Sequence, residues 1–257
     1  AGHDINYLSR SGIMSYSGKK ESGPVLMGIQ IADIGAGSYN TVIGILSAVI
    51  HRARTGQGQY IDVAMTDCLF PYHAISAARE LSGGRSAGYE TEPLNGGSLY
   101  DFYETADGRY ISFGGIEPKF LYNFCQALGI EHFLEKIDPE QLLEISFFQP
   151  EFISEFKENV TKKIKEKPLE HWIKVFETTD ACVEPVLTFS ESMNNEQAQQ
   201  RGLLVSVTGP DGKMVPQIAH PIKYSQYSPT YKNTGAELGR DTKEVLKALG
   251  YDDHAIK

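Results

Sequence analysis

Three residues of this sequence have side chains suited to moving protons: His3, Asp33 and Glu117. An imidazole and a carboxylate can each accept and donate a proton, so this set is suited to general acid–base catalysis. Asp33 and Glu117 also stand beside glycines, in DIGAGS and GGIEP, where a ligand can closely approach the backbone. The three residues are therefore candidates for a proton-transfer site.

Each of the three also has a simple structural explanation. His3 could be a solvated terminal histidine or the remnant of a purification tag. Asp33 could cap the helix predicted after it, and Glu117 could be a first-turn acid favoured by a helix dipole. DIGAGS is not the dinucleotide fingerprint, because no third glycine follows at the required spacing. The residues alone leave both interpretations open.

The elements around these residues can be predicted from periodicity. Apolar residues recur at helical spacing from about residue 34 to 54, and Gly56 ends that helix. QYIDVAM, which follows, is typical of a short β-strand, and TDCLFPYHAISAAREL predicts a helix that begins at Thr66 or Asp67. Helix, glycine turn and strand in this order indicate an α/β layer.

The remainder of the chain predicts a smaller α+β arrangement. Alternating runs around ADGR indicate a hairpin, and helical patterns occupy roughly residues 118–178 until Pro185 ends them. A second hairpin is predicted at TGPDGK and a last helix at DTKEVLKALGY. The stretch MSYSGKKESGP is predicted to be an exposed loop.

The glycine-rich segment 82–97 is the predicted linker between domains. It separates part of a large α/β domain, 1–81, from a small α+β domain, 98–190. Residues 191–257 are predicted to be a return linker and a C-terminal segment that packs on the large domain.

Composition narrows the possible functions. The formal net charge of −9 over 257 residues argues against nucleic acid as a partner, since that needs a basic face. No run approaches the roughly 18 apolar residues of a membrane span, and no signal peptide is predicted. Cys68, Cys125 and Cys182 form no C-x-x-C pair and indicate reduced thiols of an intracellular protein, mostly buried. No cluster has metal-ligand spacing, so no metal is expected.

Five motifs occur in one order along the chain: GHDINYLSRSGIMS, ADIGAGS, RTGQGQYIDVAM, YETADGRYISFGGIEPKF and TTDACVEPVLTF. Together they resemble the α-methylacyl-CoA racemases of the family III CoA-transferase superfamily, from residue 2 to about 225. The resemblance implies an α/β fold with a Rossmann-like large domain, incomplete in this chain, and a smaller α+β domain joined by long linkers. It also implies an interlocked homodimer whose site is shared between subunits.

The same resemblance assigns the site residues. His3 and Asp33 are implied to be the acid–base pair, with Glu117 supporting His3. The acyl-CoA site is implied to be lined by the residues of the first motif, together with the glycines after Asp33: Gly2, Asp4, Ile5, Asn6, Tyr7, Gly35 and Gly37.

The implied reaction is racemisation of 2-methylacyl-CoA thioesters through an enolate-like intermediate. It takes two proton-transfer groups on opposite sides of one carbon, and a donor for the thioester oxygen. A backbone N–H at the start of the Asp33 helix is the predicted donor. Acyl-CoA is the substrate and no cofactor is expected. The expected role is in lipid and fatty acid metabolism, in the cytoplasm, or in mitochondria or peroxisomes of a eukaryote.

Two other functions stay open. In a family III CoA-transferase Asp33 would be a nucleophile that forms an aspartyl-CoA thioester, but His3 and Glu117 favour racemisation. The superfamily's first third, which should precede GHDINY, is absent from this sequence. A noncatalytic fragment, or a subunit that depends on a missing segment or second chain, is therefore the third hypothesis. Apolar surface beside the Asp33 helix is expected to be exposed.

Overall fold

The structure, a computed structural model, describes residues 1–136 and 150–256. Within these ranges the helices are α1 (Asp4–Ser11), α2 (Tyr39–Thr55), α3 (Met65–Leu69), α4 (Ala74–Leu81), α5 (Pro118–Leu128), α6 (Pro150–Ile164), α7 (Leu169–Glu177), α8 (Phe189–Asn194), α9 (Glu196–Gln200) and α10 (Thr242–Ala248). A π-helical segment, Ile31–Ser38, leads directly into α2, and 3₁₀ turns occupy Ile13–Ser15, Phe70–His73 and Glu131–Lys136.

The strands form small antiparallel sheets. They are β1 (Gly18–Lys19), β2 (Gly23–Pro24), β3 (Asp101–Glu104), β4 (Tyr110–Phe113), β5 (Val183–Pro185), β6 (Leu204–Thr208) and β7 (Met214–Ile218). Strands β1 and β2 pair, as do β6 and β7, while β3, β4 and β5 form one sheet in that order. The hairpins predicted at ADGR and TGPDGK are confirmed, and the predicted loop at MSYSGKKESGP contains the β1–β2 hairpin.

The chain divides into two compact units, residues 1–186 and 187–257. In the second unit, the Thr188 Oγ1 accepts the N–H of Glu191 and the Glu191 carboxylate accepts the N–H of Thr188, which caps α8. The buried residues there include Ala198 of α9 and Val207 of β6. The predicted domain boundaries, with their linker at 82–97, stay predictions. Part of the helical pattern predicted over 118–178 falls at 137–149, outside the described residues.

One core of the first unit lies between the three-stranded sheet and helices α5, α6 and α7. Its centre is Phe124, whose ring stacks on Phe113 at 4.0 Å between centroids and on Phe176 at 5.7 Å. The sequence places Leu121, Phe124 and Leu128 on one face of α5, and all three are buried. Burial also raises the pKa of the Cys125 thiol to about 12, so this thiol stays protonated and unreactive.

A second core of the first unit is smaller and joins the elements that carry His3 and Asp33. Leu8 of α1, Leu69 of α3 and two alanines of the π-helical segment, Ala32 and Ala36, are buried against one another. Small side chains at both alanine positions let α1 and α3 approach the segment closely.

The helical stretch Ile31–Thr55 confirms the predicted helix and begins about three residues earlier. It ends at Gly56, where φ is 75°. None of the residues of α2 is buried, although its apolar side chains recur at helical spacing, so the apolar face of this helix is exposed. By length and composition alone, these 25 residues could also cross a membrane.

The strand predicted at QYIDVAM is wrong. Residues 57–64 form no ladder, and α3 begins at Met65. A strand exists only through pairing, and this run has no partner strand among the described residues. Ile61 lies instead against α2, where a Cβ added at Gly44 would be 3.3 Å from its Cγ2 atom.

An ionic cluster ties the β1–β2 hairpin to α6. Lys157 Nζ donates to Asp101 Oδ2 at 2.6 Å and to the Gly96 carbonyl at 2.8 Å, while Lys19 Nζ lies 3.1 Å from both Asp101 and Glu90. Burial alone would raise the pKa of the Asp101 carboxyl. The hydrogen bond and charge of Lys157 outweigh it, so the pKa of Asp101 lies below its usual value.

This cluster predicts a pH-dependent stability. Because the pKa of Asp101 is lower in the folded chain, its stabilisation is complete above the unfolded pKa, about 4, and is lost as the pH falls through the folded pKa. Asp101→Asn should lower the free energy of unfolding at pH 7 by about 2 kcal/mol. The gap to the unaltered chain should close as the pH falls through the folded pKa of Asp101. Urea unfolding across pH, with exposed Asp62→Asn as control, measures this, and a pH-independent gap would contradict it.

Candidate active site

The first motif builds a tight start for α1 and places His3 immediately before it. His3 has extended backbone, φ −123° and ψ 178°, and its N–H donates to the Asn6 side-chain oxygen at 3.0 Å. The Tyr7 hydroxyl donates to the Gly2 carbonyl at 3.1 Å. These local bonds fix the backbone on either side of His3, whose side chain is exposed.

Asp33 lies in the first turn of the π-helical segment and is half-buried. The wide helical pitch is visible where the Tyr39 N–H donates to the Ile34 carbonyl, five residues back. In the same turn, the Ser38 hydroxyl donates to the Asp33 carbonyl at 2.8 Å. Such π-helical insertions are rare and occur frequently at functional sites.

The carboxylate of Asp4 connects these two elements. Its Oδ1 atom accepts the backbone N–H of Ala32 at 2.6 Å and that of Asp33 at 3.1 Å. His3 is the residue before Asp4, so one side chain joins the backbones that carry the predicted acid and base. The N–H groups of Ala32 and Asp33, at the predicted position of the donor for the thioester oxygen, therefore already have an acceptor in Asp4.

The glycines after Asp33 permit close packing. A Cβ at Gly37 would lie 2.9 Å from Met65 Cγ and 3.2 Å from the Ala32 carbonyl, and one at Gly35 would lie 3.0 Å from the Tyr72 hydroxyl. All three distances are shorter than ordinary van der Waals contact. The structure thus shows a packing role for both glycines, and their contact with acyl-CoA stays a prediction.

Filling this space should destabilise the site. Gly37→Val is expected to lower the free energy of unfolding by about 2 kcal/mol, because Met65 and the Ala32 carbonyl must both move. Gly58→Val is the matched control, since no atom lies within 4 Å of a Cβ there. Urea denaturation compares the two, and an equal loss of stability in both variants would contradict the packing argument.

Glu117 lies at the start of α5, a helix that packs in the other core of the first unit. Its backbone is extended and its side chain is exposed. Three residues earlier in the chain, the Gly114 N–H donates to the Cys182 carbonyl at 2.9 Å. An ion pair between Lys119 and Asp180 also holds the Cys182 turn against α5. Cys182 has φ of 51°, a conformation that L-residues rarely adopt. Burial and the nearby charge of Glu117 raise the pKa of the Cys182 thiol.

The structure therefore brings together the backbones of two of the three predicted residues. His3 and Asp33 lie on adjoining elements joined by Asp4. In residues 1–136 and 150–256, no hydrogen bond or ion pair connects Glu117 to either of them. Cys182, predicted with the other cysteines as mostly buried, is exposed. Ile5, a predicted acyl-CoA contact, has 46% of its surface exposed.

Comparison with known proteins gives the family. The model of CoA-transferase family III matches residues 1–242 of the 257. The chain belongs to CoA-transferase family III. Its mixed α/β fold agrees with a solved family structure, a CAIB/BAIF family protein from Brucella suis. The TM-score is 0.75 at 24% identity, over 97% of this chain and 63% of that one.

Relatives of this family III chain include proteins named for two different reactions. It is 31% identical to the α-methylacyl-CoA racemase of Mus musculus, over all of this chain and 64% of the racemase. It is 28% identical to the succinate–glutarate CoA-transferase of Agrobacterium fabrum, over 97% of this chain and 61% of the transferase. The chain thus spans less than two thirds of the length of these relatives.

Proposed function

We propose that this chain carries the proton-transfer site of a racemase that acts on 2-methylacyl-CoA thioesters. The proposal rests on the position of Asp4. Asp4 directly follows His3 in the chain, and its carboxylate accepts the backbone N–H of Asp33. This hydrogen bond holds the turn that carries His3 next to the turn that carries Asp33. Similarity to the mouse racemase over the full chain supports the same reaction.

The reaction needs one group to remove the α-proton and another to return a proton on the opposite face. When one of His3 and Asp33 takes the α-proton, the electron pair of the C–H bond moves onto the thioester and forms an enolate. The other residue then donates its proton to the opposite face of the α-carbon. Each residue serves as base for one enantiomer, so the reaction runs in both directions without net proton uptake.

The enolate oxygen needs hydrogen-bond donors. In the described part of the chain, the backbone N–H groups of Asp4 and Ile5 have no acceptor. They open the first turn of α1, where the helix dipole favours negative charge. We assign the enolate oxygen to this turn, beside His3, in place of the π-helical N–H groups. Gly2, Asn6 and Tyr7 then border the acyl-CoA, as do Gly35 and Gly37 beside Asp33.

Glu117 is proposed to support His3 from a second copy of the chain. Within one chain it lies at the start of α5, near Cys182, and in the described ranges it bonds to neither His3 nor Asp33. A homodimer whose site is shared between subunits would let its carboxylate meet an imidazole and favour the protonated ring. Localisation in the cytoplasm, or in mitochondria or peroxisomes, and the absence of a cofactor belong to the same proposal.

CoA transfer is the second candidate. The half-buried Asp33 carboxylate could attack an acyl-CoA thioester, and similarity to the Agrobacterium fabrum transferase supports this reaction. His3 carries an exposed imidazole and directly precedes Asp4, whose carboxylate bonds to the backbone of Asp33. This arrangement favours racemisation, because a nucleophilic aspartate needs no second proton-transfer group on the opposite face.

One incubation separates these functions. The chain is mixed with an (S)-2-methylacyl-CoA and a free carboxylic acid in D2O, and the products are analysed by NMR and chiral chromatography. Racemisation predicts loss of optical purity with deuterium at the α-carbon. CoA movement to the added acid without deuterium would overturn the proposal in favour of transfer. Neither change would indicate a fragment without activity of its own.

A further inference from the structure

The carboxylate of Asp4 serves a purpose that the sequence does not reveal. It lies in the first turn of α1, yet its Oδ1 atom accepts two N–H groups from a segment 28 and 29 positions further along the chain. A first-turn aspartate usually interacts with its own helix. Here it caps the helix of another element, the one that carries Asp33.

We propose that Asp4 is a positioning residue that fixes the Asp33 carboxyl relative to the His3 imidazole; this inference rests on the proposed racemisation. The Asp4 side chain touches no reacting atom in this role. It acts through the backbone of Asp33, which is one of its two donors, and through its own peptide bond to His3.

The bridge is rigid because both of its ends are anchored. On the α1 side, Leu8 is 3% exposed and packs in the small core, and the Asn6 and Tyr7 bonds hold the turn in front of the helix. On the other side, Ala32 is fully buried in the same core. A charged acceptor for two backbone donors makes a stronger bond than a neutral one. Small displacements of Asp33 are therefore restrained.

Loss of the bridge should affect chemistry more than substrate binding. A misplacement of about 1 Å in a reacting group can lower a rate about 100-fold. The resemblance instead placed Asp4 among the residues that contact acyl-CoA. These roles have different signatures: a positioning role lowers kcat and leaves KM near its original value, whereas a contact with acyl-CoA changes KM.

The test compares Asp4→Ala with Asp4→Asn, whose amide oxygen can still accept both N–H groups. Amide hydrogen exchange at Ala32 and Asp33 is followed by NMR, and α-proton exchange of a 2-methylacyl-CoA gives kcat and KM. Exchange at the Phe124 amide reports whether each variant is folded. Asp67→Ala, a first-turn aspartate of α3 with an exposed side chain, is the matched control.

We expect Asp4→Ala to speed exchange at Ala32 and Asp33 at least about tenfold, with Phe124 unchanged. Its kcat should fall about 100-fold at similar KM. Asp4→Asn should restore most of the slow amide exchange at Ala32 and Asp33 and most of kcat. Unchanged amide exchange, an unchanged kcat, or a rise in KM alone would overturn the inference.

Amide exchange can be measured without any turnover of substrate. An unaltered chain that exchanges no α-proton would contradict the proposed function, while faster exchange at Ala32 and Asp33 would still show the bridge.

Discussion

Replacing His3 with glutamine leaves proton exchange with only one enantiomer of the substrate, and replacing Asp33 with asparagine leaves exchange with only the other. Each variant keeps one of the two bases proposed to face opposite sides of the α-carbon. The remaining base can still remove a proton and return one to the same face, so exchange continues there without inversion. Racemisation should fall about 10²- to 10⁴-fold in both variants.

The measurement uses each pure enantiomer of a 2-methylacyl-CoA in D2O and follows α-deuterium and optical purity. His51→Gln is the control, since His51 is exposed on α2 and distant in sequence from the motif. It should match the unaltered chain. If His3→Gln retains racemisation, or if both variants lose exchange with the same enantiomer, the assignment of the two bases is wrong. CoA transfer that survives His3→Gln and is lost in Asp33→Asn would favour the nucleophilic aspartate.

Phe124→Ala should have the largest effect on stability, a loss of about 3 to 5 kcal/mol in the free energy of unfolding. The ring is fully buried and contacts Phe113, Tyr103 and Phe176. Its removal forfeits the transfer free energy of the ring and leaves a cavity between sheet and helices that the stacked neighbours cannot fill.

Urea denaturation measures this loss, with Phe102→Ala as the control on the adjacent strand. Phe102 is 64% exposed, so its truncation should cost well under about 1 kcal/mol. A cost for Phe124→Ala as small as that of Phe102→Ala would show that the aromatic stack does not stabilise the core.

The sequence predicted the elements that are specified by interactions between residues close together in the chain, namely the hairpin turns and the end of a helix. The Asp-Gly turn of ADGR and the TGPDGK turn specify their hairpins, since a glycine with positive φ, Gly108 or Gly212, lies in each loop. The periodic apolar residues of α2 and the C-terminal Gly56 likewise specify a helix and its end. Motif similarity, confirmed by the family match, gave the family and the fold.

Features that depend on distant segments were not predictable. QYIDVAM has the composition of a strand but finds no strand to pair with in residues 1–136 and 150–256, so it forms no ladder there. The π-helical geometry around Asp33 leaves no mark in the residue spacing. The Asp4 bridge joins positions 28 and 29 apart, and only the fold shows it. The resemblance implied that Glu117 supports His3, and only the fold shows that Glu117 lies at the start of α5, away from the core shared by α1 and the Asp33 segment.

His3 and Asp33 are proposed to meet opposite faces of one α-carbon. A crystal structure of the chain with a 2-methylacyl-CoA analogue bound tests this arrangement. We predict a ring nitrogen of His3 and a carboxylate oxygen of Asp33 on opposite faces of the α-carbon, each within about 3.5 Å. Both groups on the same face, or either one turned away from the α-carbon, would contradict the account.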